Sequence, residues 1–235
     1  FHLRASYNDE TALIVRQLTN LGLKKIAVFH QNDAYGKAGL DGVTLALDKL
    51  GLKPVATATV ERNSVDVAAA VRTINAAMTD AVVQISAYKS CAAYIRAARA
   101  AGYGGTFYNV SFVGTQALAD ELGKDGAGVV VSQVVPSPYY PARPIAREFA
   151  DAVKKAGNVQ ANFSSMEGYL AAKVVTEGLK RAGNRIGNRD ALIQGIESIG
   201  SQSLGGFQVN FSSANHVASS FVELSMLTGD GRVRT

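Results

Sequence analysis

Residues 24–36, KKIAVFHQNDAYG, decide the fold of this chain. The apolar run within Lys24–Gln31 is typical of a strand that is buried on both faces, as the strands of parallel sheets are. The loop NDAYG leads into a helical pattern that continues through Leu50 and ends at Gly51. A buried strand that is followed at once by a helix predicts one βα unit of a parallel sheet.

The same alternation repeats over the first 135 residues. A short strand at Phe1–Ala5 is predicted to lead into a helix at Asp9–Leu21, with Asn8 as its N-cap. The pattern as a whole indicates the α/β class with a Rossmann-like parallel sheet. After the opening stretch, the predicted strands are Lys53–Glu61, Asp80–Ser86, 106–112 and 128–135, and the predicted helices are Val65–Met78, Ser90–Ala101 and 114–123.

The alternation stops at PSPYYPARP, residues 136–144. Four prolines in nine residues exclude a helix interior or a central strand, so this segment is the predicted linker. The tail is predicted to be β-rich and to end in a DG turn at residues 230–231. Beyond the linker we predict helices at Ile145–Ala156, Ser164–Ala182 and Arg189–Ser198, and β-like runs at Gly206–Phe211 and Ser219–Leu227.

Composition bounds the class of protein. The chain has 235 residues, of which 47% are hydrophobic, and this is enough for a sizeable core. No run of eighteen apolar residues predicts a membrane helix, and the first twenty residues lack a signal-peptide pattern. The net charge of +5 is spread over helical segments, which argues against nucleic acid as a partner. The single cysteine, Cys91, allows no internal disulfide and is predicted to be a small buried thiol.

The sequence contains no recognisable catalytic motif. It has no GxSxG, Walker A or HExxH pattern, and its three histidines lack the spacing of metal ligands. Gly36, Gly39 and Gly42 are not spaced as a dinucleotide fingerprint, and the last two are predicted to allow close helix packing. Solvation and the helix dipole explain the acidic pair Asp9 and Glu10. We therefore predict a binding protein with no catalytic residue, no metal and no cofactor.

Four loops follow the predicted strands: residues 32–36, 62–66, 86–90 and 111–115. All emerge at the carboxyl edge of a parallel sheet, which is where this class of fold binds its ligands. The loops combine free helix amides, which suit a carboxylate, with aromatic and hydroxyl side chains. The sequence therefore predicts a small-molecule site at this edge.

Four ordered blocks resemble a known family: NDAYGKAGLDGVTLALDKLG, ISAYKSCAAYIRAARAAGY, SFVGTQALADELGKDGAGVVVSQVVP and FSSMEGYLAAKVVTEGLKRAG. They resemble the type I periplasmic solute-binding proteins that serve ABC transporters of the branched-chain amino acids leucine, isoleucine and valine. The resemblance spans almost the whole chain. It implies two Rossmann-like lobes that are joined by three crossover segments and hold the ligand between them.

The resemblance also implies a domain organisation. Residues 1–133 resemble the second lobe, residues 134–200 a crossover with first-lobe helices, and residues 201–235 a β-rich return to the second lobe. Phe1–Ala5 resembles the strand that enters the second lobe, so we expect a chain truncated at its N-terminus, with most of the first lobe missing. The first-lobe helices would then expose an apolar face unless they pack differently or the chain dimerises.

Five ligand-binding residues follow from the resemblance. Tyr35 matches the family tyrosine that contacts the ligand, its alternative role being to pack on the next loop. Tyr88 lies in the loop whose aromatic residue closes on the ligand, although the register also allows Ala87. Ser111 stands where leucine-binding members carry an acid for the ligand's ammonium group, so the ligand either lacks an amine or finds its acid elsewhere. Phe112 either stacks on an apolar or aromatic ligand or belongs to the core.

The function that the resemblance implies is capture of an amino acid or a related small carboxylate in the bacterial periplasm. Lobe closure would hold the ligand, and a membrane permease of an ABC transporter would receive it without a covalent step. The alternatives are a ligand-sensing domain of a receptor or two-component system with the same fold, and an enzyme with a diffuse active site. With one side of the cleft missing, we expect weak ligand binding by this chain alone.

Overall fold

The computed structural model of the chain describes residues 1–185 and 187–235, which form two compact units. The sheet unit comprises Ser6–Gln133 and Val222–Thr235, and the helical unit comprises Phe1–Ala5 and Val134–Phe221. The helices are α1 (Tyr7–Asn20), α2 (Ala34–Asp48), α3 (Ala68–Ala76), α4 (Tyr88–Ala100), α5 (Thr115–Leu122), α6 (Pro144–Ala156), α7 (Phe163–Ala182) and α8 (Arg189–Glu197). The strands are β1 (Ile26–Gln31), β2 (Ala56–Val60), β3 (Ala81–Ile85), β4 (Thr106–Asn109), β5 (Val130–Gln133), β6 (Ser201–Leu204), β7 (Phe207–Asn210), β8 (Glu223–Leu227) and β9 (Val233–Arg234).

The sheet unit contains seven strands in the order β2-β1-β3-β4-β5-β8-β9. Strands β1 to β5 pair in parallel, as the alternation of strand and helix predicts. Strands β8 and β9 come from the end of the chain and add two antiparallel strands beside β5. The structure thus confirms the α/β class and the Rossmann-like parallel sheet, and it extends that sheet by a mixed edge.

The sheet has an apolar core on each face. Val28 and Val83 point towards α1 and α2, where Ile14, Leu18 and Leu47 are fully buried. The opposite face packs against α3, α4 and α5, and Phe29 there stacks on Tyr94 with 4.3 Å between ring centroids. Burial on both faces explains why β1 and β3 each begin with at least three consecutive apolar residues instead of alternating apolar and polar ones.

Two glycines let α2 lie close to β1, the strand before it, and to β3. A Cβ atom at Gly36 would lie 1.9 Å from the backbone oxygen of Gln31, and one at Gly39 would lie 2.5 Å from Cγ1 of Ile85. Both distances are far below van der Waals contact. The prediction that Gly39 allows close packing is confirmed.

The helical unit combines α6, α7 and α8 with the antiparallel β6–β7 hairpin. Helices α7 and α8 touch through glycines, since a Cβ atom at Gly195 would lie 2.3 Å from the carbonyl oxygen of Gly178. The predicted linker ends at Pro144, which is the first residue of α6, a position where proline is favoured. The predicted helices of this region are confirmed to within two residues at each end.

Several predicted boundaries were wrong for local reasons. Residues 1–5 form no strand, because His2 makes only an isolated bridge to Val217. Helix α1 begins at Tyr7 and its N-cap is Ser6, not Asn8. Ser6 accepts a hydrogen bond from the backbone of Asp9 at 3.2 Å and donates its own backbone amide to Asp9 at 3.0 Å, so the two form a capping box.

Further differences concern strands. The strand predicted for residues 106–112 ends at Asn109, and Ser111–Val113 is a short 3₁₀ helix. Strands β6 and β9 had no clear sequence pattern and were not predicted. The contacts also group residues 1–5 and 201–221 with the helical unit, whereas the resemblance associates them with the second lobe.

Candidate functional site

The carboxyl ends of β1, β3 and β4 adjoin one another in the sheet, and the loops that follow them carry the five predicted ligand-binding residues. At the end of β1, Asp33 caps α2 by accepting the backbone amide of Gly36 at 3.0 Å. The second carboxylate oxygen of Asp33 accepts a hydrogen bond from Nε2 of Gln31 at 2.5 Å. These hydrogen bonds lower the pKa of Asp33 below its ordinary value, and the bond from Gly36 has the largest effect. Asp33 is therefore an ionised structural residue that fixes the start of α2.

Tyr35 lies in the first turn of α2 and is half-buried. Its ring meets the ring of Phe112 edge-on, with 5.2 Å between centroids and an interplanar angle of 62°. On its other side, the ring of Tyr7 lies at 5.4 Å with a tilt of 52°. The structure therefore brings Tyr35 and Phe112, two of the five predicted residues, into direct contact from loops that are 77 positions apart in the chain.

Ser111 and Phe112 open the 3₁₀ helix that follows β4. The backbone amide of Ser111 donates to Oε2 of Glu10 at 2.7 Å, and Ser111 is half-buried. Phe112 is 60% exposed, which excludes the alternative that its side chain belongs to the core.

Glu10 is a residue that the sequence prediction missed. Its side chain is fully buried, and its Oε2 accepts hydrogen bonds from the Ser111 amide and from Oγ of Ser132 at 2.6 Å. The explanation by solvation and the helix dipole was therefore wrong for Glu10. One signal was available, since Glu10 lies four residues before Ile14 and eight before Leu18, on the buried face of α1. The carboxylate ties α1 to the loop that carries Phe112 and to β5.

Ala87 and Tyr88 lie at the start of α4, after β3. Ala87 is the N-cap residue, and no side chain caps this helix. Tyr88 is partly buried against the core under α3, α4 and α5, and the Nζ atom of Lys89 lies 6.0 Å from the centre of its ring. The structure thus places Ala87 at the edge of the sheet, and it turns Tyr88 towards this core.

Cys91 supplies no reactive thiol at this edge. Cys91 is fully buried, its Sγ lies 3.5 Å from the carbonyl oxygen of Ser86, and burial raises the pKa of its thiol. The prediction of a small buried thiol is confirmed. No group of three or more metal-ligating side chains occurs in residues 1–185 or 187–235.

A separate groove of about 480 Å³ lies on the helical unit, between α6, α7 and the β6–β7 hairpin. One of its two acids, Glu148, accepts hydrogen bonds from Lys173 and from the hydroxyl of Tyr169, the latter at 2.7 Å. The bond from Lys173 is the main reason that the pKa of Glu148 lies below its ordinary value. Glu148 and Lys173 are thus paired with each other inside the groove, and none of the five predicted residues lines it.

Comparison with known proteins agrees with this fold. Residues 1–231 match the model of a family described as periplasmic binding protein. No curated protein has a significantly similar sequence. Many solved structures are similar.

Three of the similar solved structures are more than 25% identical to this chain over the aligned residues. A possible leucine/isoleucine/valine-binding protein from Rhodopirellula baltica is 29% identical with a TM-score of 0.89, over 97% of this chain and 64% of its own. A substrate-binding periplasmic protein from Ralstonia solanacearum is 28% identical with a TM-score of 0.91, over 100% of this chain and 67% of its own. An extracellular ligand-binding receptor from Verminephrobacter eiseniae is 28% identical with a TM-score of 0.86 and the same coverage as the Ralstonia protein.

The chain thus spans about two thirds of the length of the solved structures it matches. The family match covers almost all of its residues, and it confirms the resemblance carried by the four sequence blocks. The chain belongs to the periplasmic binding protein family.

Proposed function

We propose that this chain captures a small carboxylate-bearing metabolite without reacting with it, as the substrate-binding component of a bacterial ABC transporter. The observation that carries the proposal is the contact between Tyr35 and Phe112 at the carboxyl edge of a parallel sheet. Loops at this edge bind ligands in α/β folds, and exposed rings there offer an apolar surface to a small molecule. Family membership supports a substrate-binding role.

We assign different roles in ligand binding to the five predicted residues. Tyr35 and Phe112 contact the apolar body of the ligand, and the hydroxyl of Ser111 offers a hydrogen bond beside them. Ala87 and Tyr88 mark the first turn of α4, whose backbone amides favour a negative group. Closure of two lobes would then exclude water from the ligand.

We propose binding without catalysis because neither Asp33 nor Cys91 is an activated nucleophile. The carboxylate of Asp33 is engaged in capping α2, and the thiol of Cys91 is buried and protonated. We therefore expect the bound molecule to be released unchanged.

We further propose an extracytoplasmic location and a membrane permease as the partner that receives the ligand. This part of the proposal rests on the family. In the part of the chain that the structure describes, no helix has the length and apolar character needed to cross a bilayer.

A thermal-shift screen tests the proposal. The purified chain is heated with amino acids, aromatic acids and short aliphatic acids, and a ligand at 100 times its Kd should raise the melting temperature by roughly 5–10 °C. Tyr35→Ala should reduce that shift, whereas Leu50→Ala should leave it unchanged, because Leu50 follows the far end of α2 and is 53% exposed. A flat response to every compound, or chemical conversion of a bound compound detected by NMR, would remove the proposal.

A further inference from the structure

Three aromatic rings form a continuous surface at the carboxyl edge of the sheet. Tyr7, Tyr35 and Phe112, here called the aromatic shelf, are linked by centroid distances of 5.4 Å and 5.2 Å. Phe112 is 60% exposed, whereas Phe29 and Phe107 in the same unit are buried. An exposed ring that packs on Tyr35, which in turn packs on Tyr7, is better suited to a flat apolar partner than to water.

The charged residues around the aromatic shelf determine which charged group a ligand can bring there. Both oxygens of Asp33 accept hydrogen bonds in the cap of α2, and Glu10 is fully buried with its Oε2 shared by Ser111 and Ser132. Farther along this edge, Glu61 and Asp66 follow β2, an outermost strand, and Glu223 is half-buried opposite Gln133 at the end of β5. Asp33 and Glu10 are thus committed to the fold rather than presented to a ligand, so neither carboxylate is available to an ammonium group on the shelf.

A cation lies on the loop between those that carry the shelf. Strand β3 lies between β1 and β4, and Lys89 in the first turn of α4 is exposed directly after it. The charge of this side chain and the backbone amides of that turn both favour an anion. The loop between the two that carry the shelf therefore presents a cation, whose Nζ lies 6.0 Å from the ring centre of Tyr88, together with free helix amides.

We infer that the ligand is an aromatic carboxylate without an ammonium group, with its ring against Phe112 and Tyr35 and its carboxylate towards the start of α4. This inference names the ligand class of the proposed function and rests on that function. It departs from an α-amino acid, whose ammonium group would be desolvated beside two carboxylates, Asp33 and Glu10, that are already engaged.

A single tryptophan tests the inference directly. The chain contains no tryptophan, so Phe112→Trp creates a unique fluorophore on the aromatic shelf. Benzoate and 3-phenylpropanoate should change its emission in a saturable manner. L-Phenylalanine, which differs from 3-phenylpropanoate only by its α-ammonium group, should bind at least about tenfold more weakly than either. Leu50→Trp, on a residue of similar exposure near the opposite edge, is the matched control and should not respond.

Calorimetry provides a second measurement, which compares the wild-type chain with Phe112→Leu and needs no added tryptophan. Benzoate affinity should fall about tenfold in Phe112→Leu, while the melting temperature without ligand should change little because the ring is largely exposed. Tighter binding of L-leucine or L-phenylalanine than of benzoate would overturn the ligand class and leave the proposed function standing. Binding of aliphatic acids alone would do the same, whereas no binding of any compound would overturn both.

Discussion

Two neighbouring acids at the start of α1 show how differently the fold uses the same side-chain chemistry. Asp9 completes a capping box with Ser6 at the surface. Glu10, one residue later, points inwards and is fully buried with the amide of Ser111 and the hydroxyl of Ser132 as donors. A buried carboxylate is stable only with such partners. Glu10 therefore holds the loop that carries Phe112, and it acts on the candidate site by positioning.

Asp33 gives a prediction about pH. Hydrogen bonds lower its pKa in the folded chain, so its ionised form stabilises the fold above about pH 4, and this contribution is lost as the pH falls through the lowered pKa. Asp33→Ala should reduce the free energy of unfolding by about 1 kcal/mol at pH 7, the usual value of an N-cap. Asp33→Asn should keep most of the cap and remove its pH dependence. Urea denaturation between pH 2 and 7 measures both effects, and an equal pH profile for wild type and Asp33→Asn would contradict the assignment.

Tyr94 gives a prediction about the core. Its side chain is fully buried and stacks on Phe29, and no group in residues 1–185 or 187–235 forms a hydrogen bond with its hydroxyl. Burial also raises the pKa of this hydroxyl, which keeps it neutral. Because an unsatisfied buried polar group costs free energy, Tyr94→Phe should increase the free energy of unfolding by about 1 kcal/mol while the stacking remains. Tyr94→Leu, which removes the ring stack as well, is the control and should be destabilising. A loss of stability in Tyr94→Phe would show that the hydroxyl has a partner.

At the scale of elements, Gly39 determines how closely α2 packs on β3. A Cβ atom there would lie 2.5 Å from Cγ1 of Ile85, a buried β-branched side chain that cannot move aside freely. Gly39→Ala should therefore lower the free energy of unfolding by roughly 1–3 kcal/mol. Gly168→Ala in α7 is the matched control, since no atom lies within 4 Å of its Cβ position. It should raise stability by up to about 1 kcal/mol. Chemical denaturation measures the free energy of unfolding of both variants. Equal changes in Gly39→Ala and Gly168→Ala would contradict the packing argument.

Elements with a strong periodic pattern were predictable, and those that depend on distant contacts were not. Strand β1 is a buried apolar run, and the strand and the helix after it could be placed from the sequence alone. Strand β9 has two residues and exists only because β8 lies beside it. The same distinction applies to the candidate site. The loop position of Tyr35 follows from the pattern, but its contact with Phe112 and the burial of Glu10 arise only when α1, β4 and β5 come together.

At the scale of the whole molecule, the sheet unit combines two separated segments. Residues 222–235 return to a sheet that was otherwise completed by residue 133, and β8 pairs with β5 over four residues. The tail covers the edge of β5, which would otherwise present unpaired backbone groups. The loops after β1, β3 and β4 lie within this unit, so the candidate edge rests on a sheet that has a core on both faces.

This arrangement predicts an order of stability that hydrogen exchange can measure. Strands β1 and β3 are flanked by strands on both sides and packed on both faces, so their amides should exchange only when the sheet unit opens as a whole. The β6–β7 hairpin of the helical unit has two strands, and alternate residues such as Ser203 and Gln208 are exposed. Its amides should exchange at least roughly 100-fold faster than those of β1 and β3 at the same pH and temperature. Mass spectrometry on peptides from 24–32, 80–86 and 200–210 makes this comparison, and equal protection of the hairpin would mean that the two units open together.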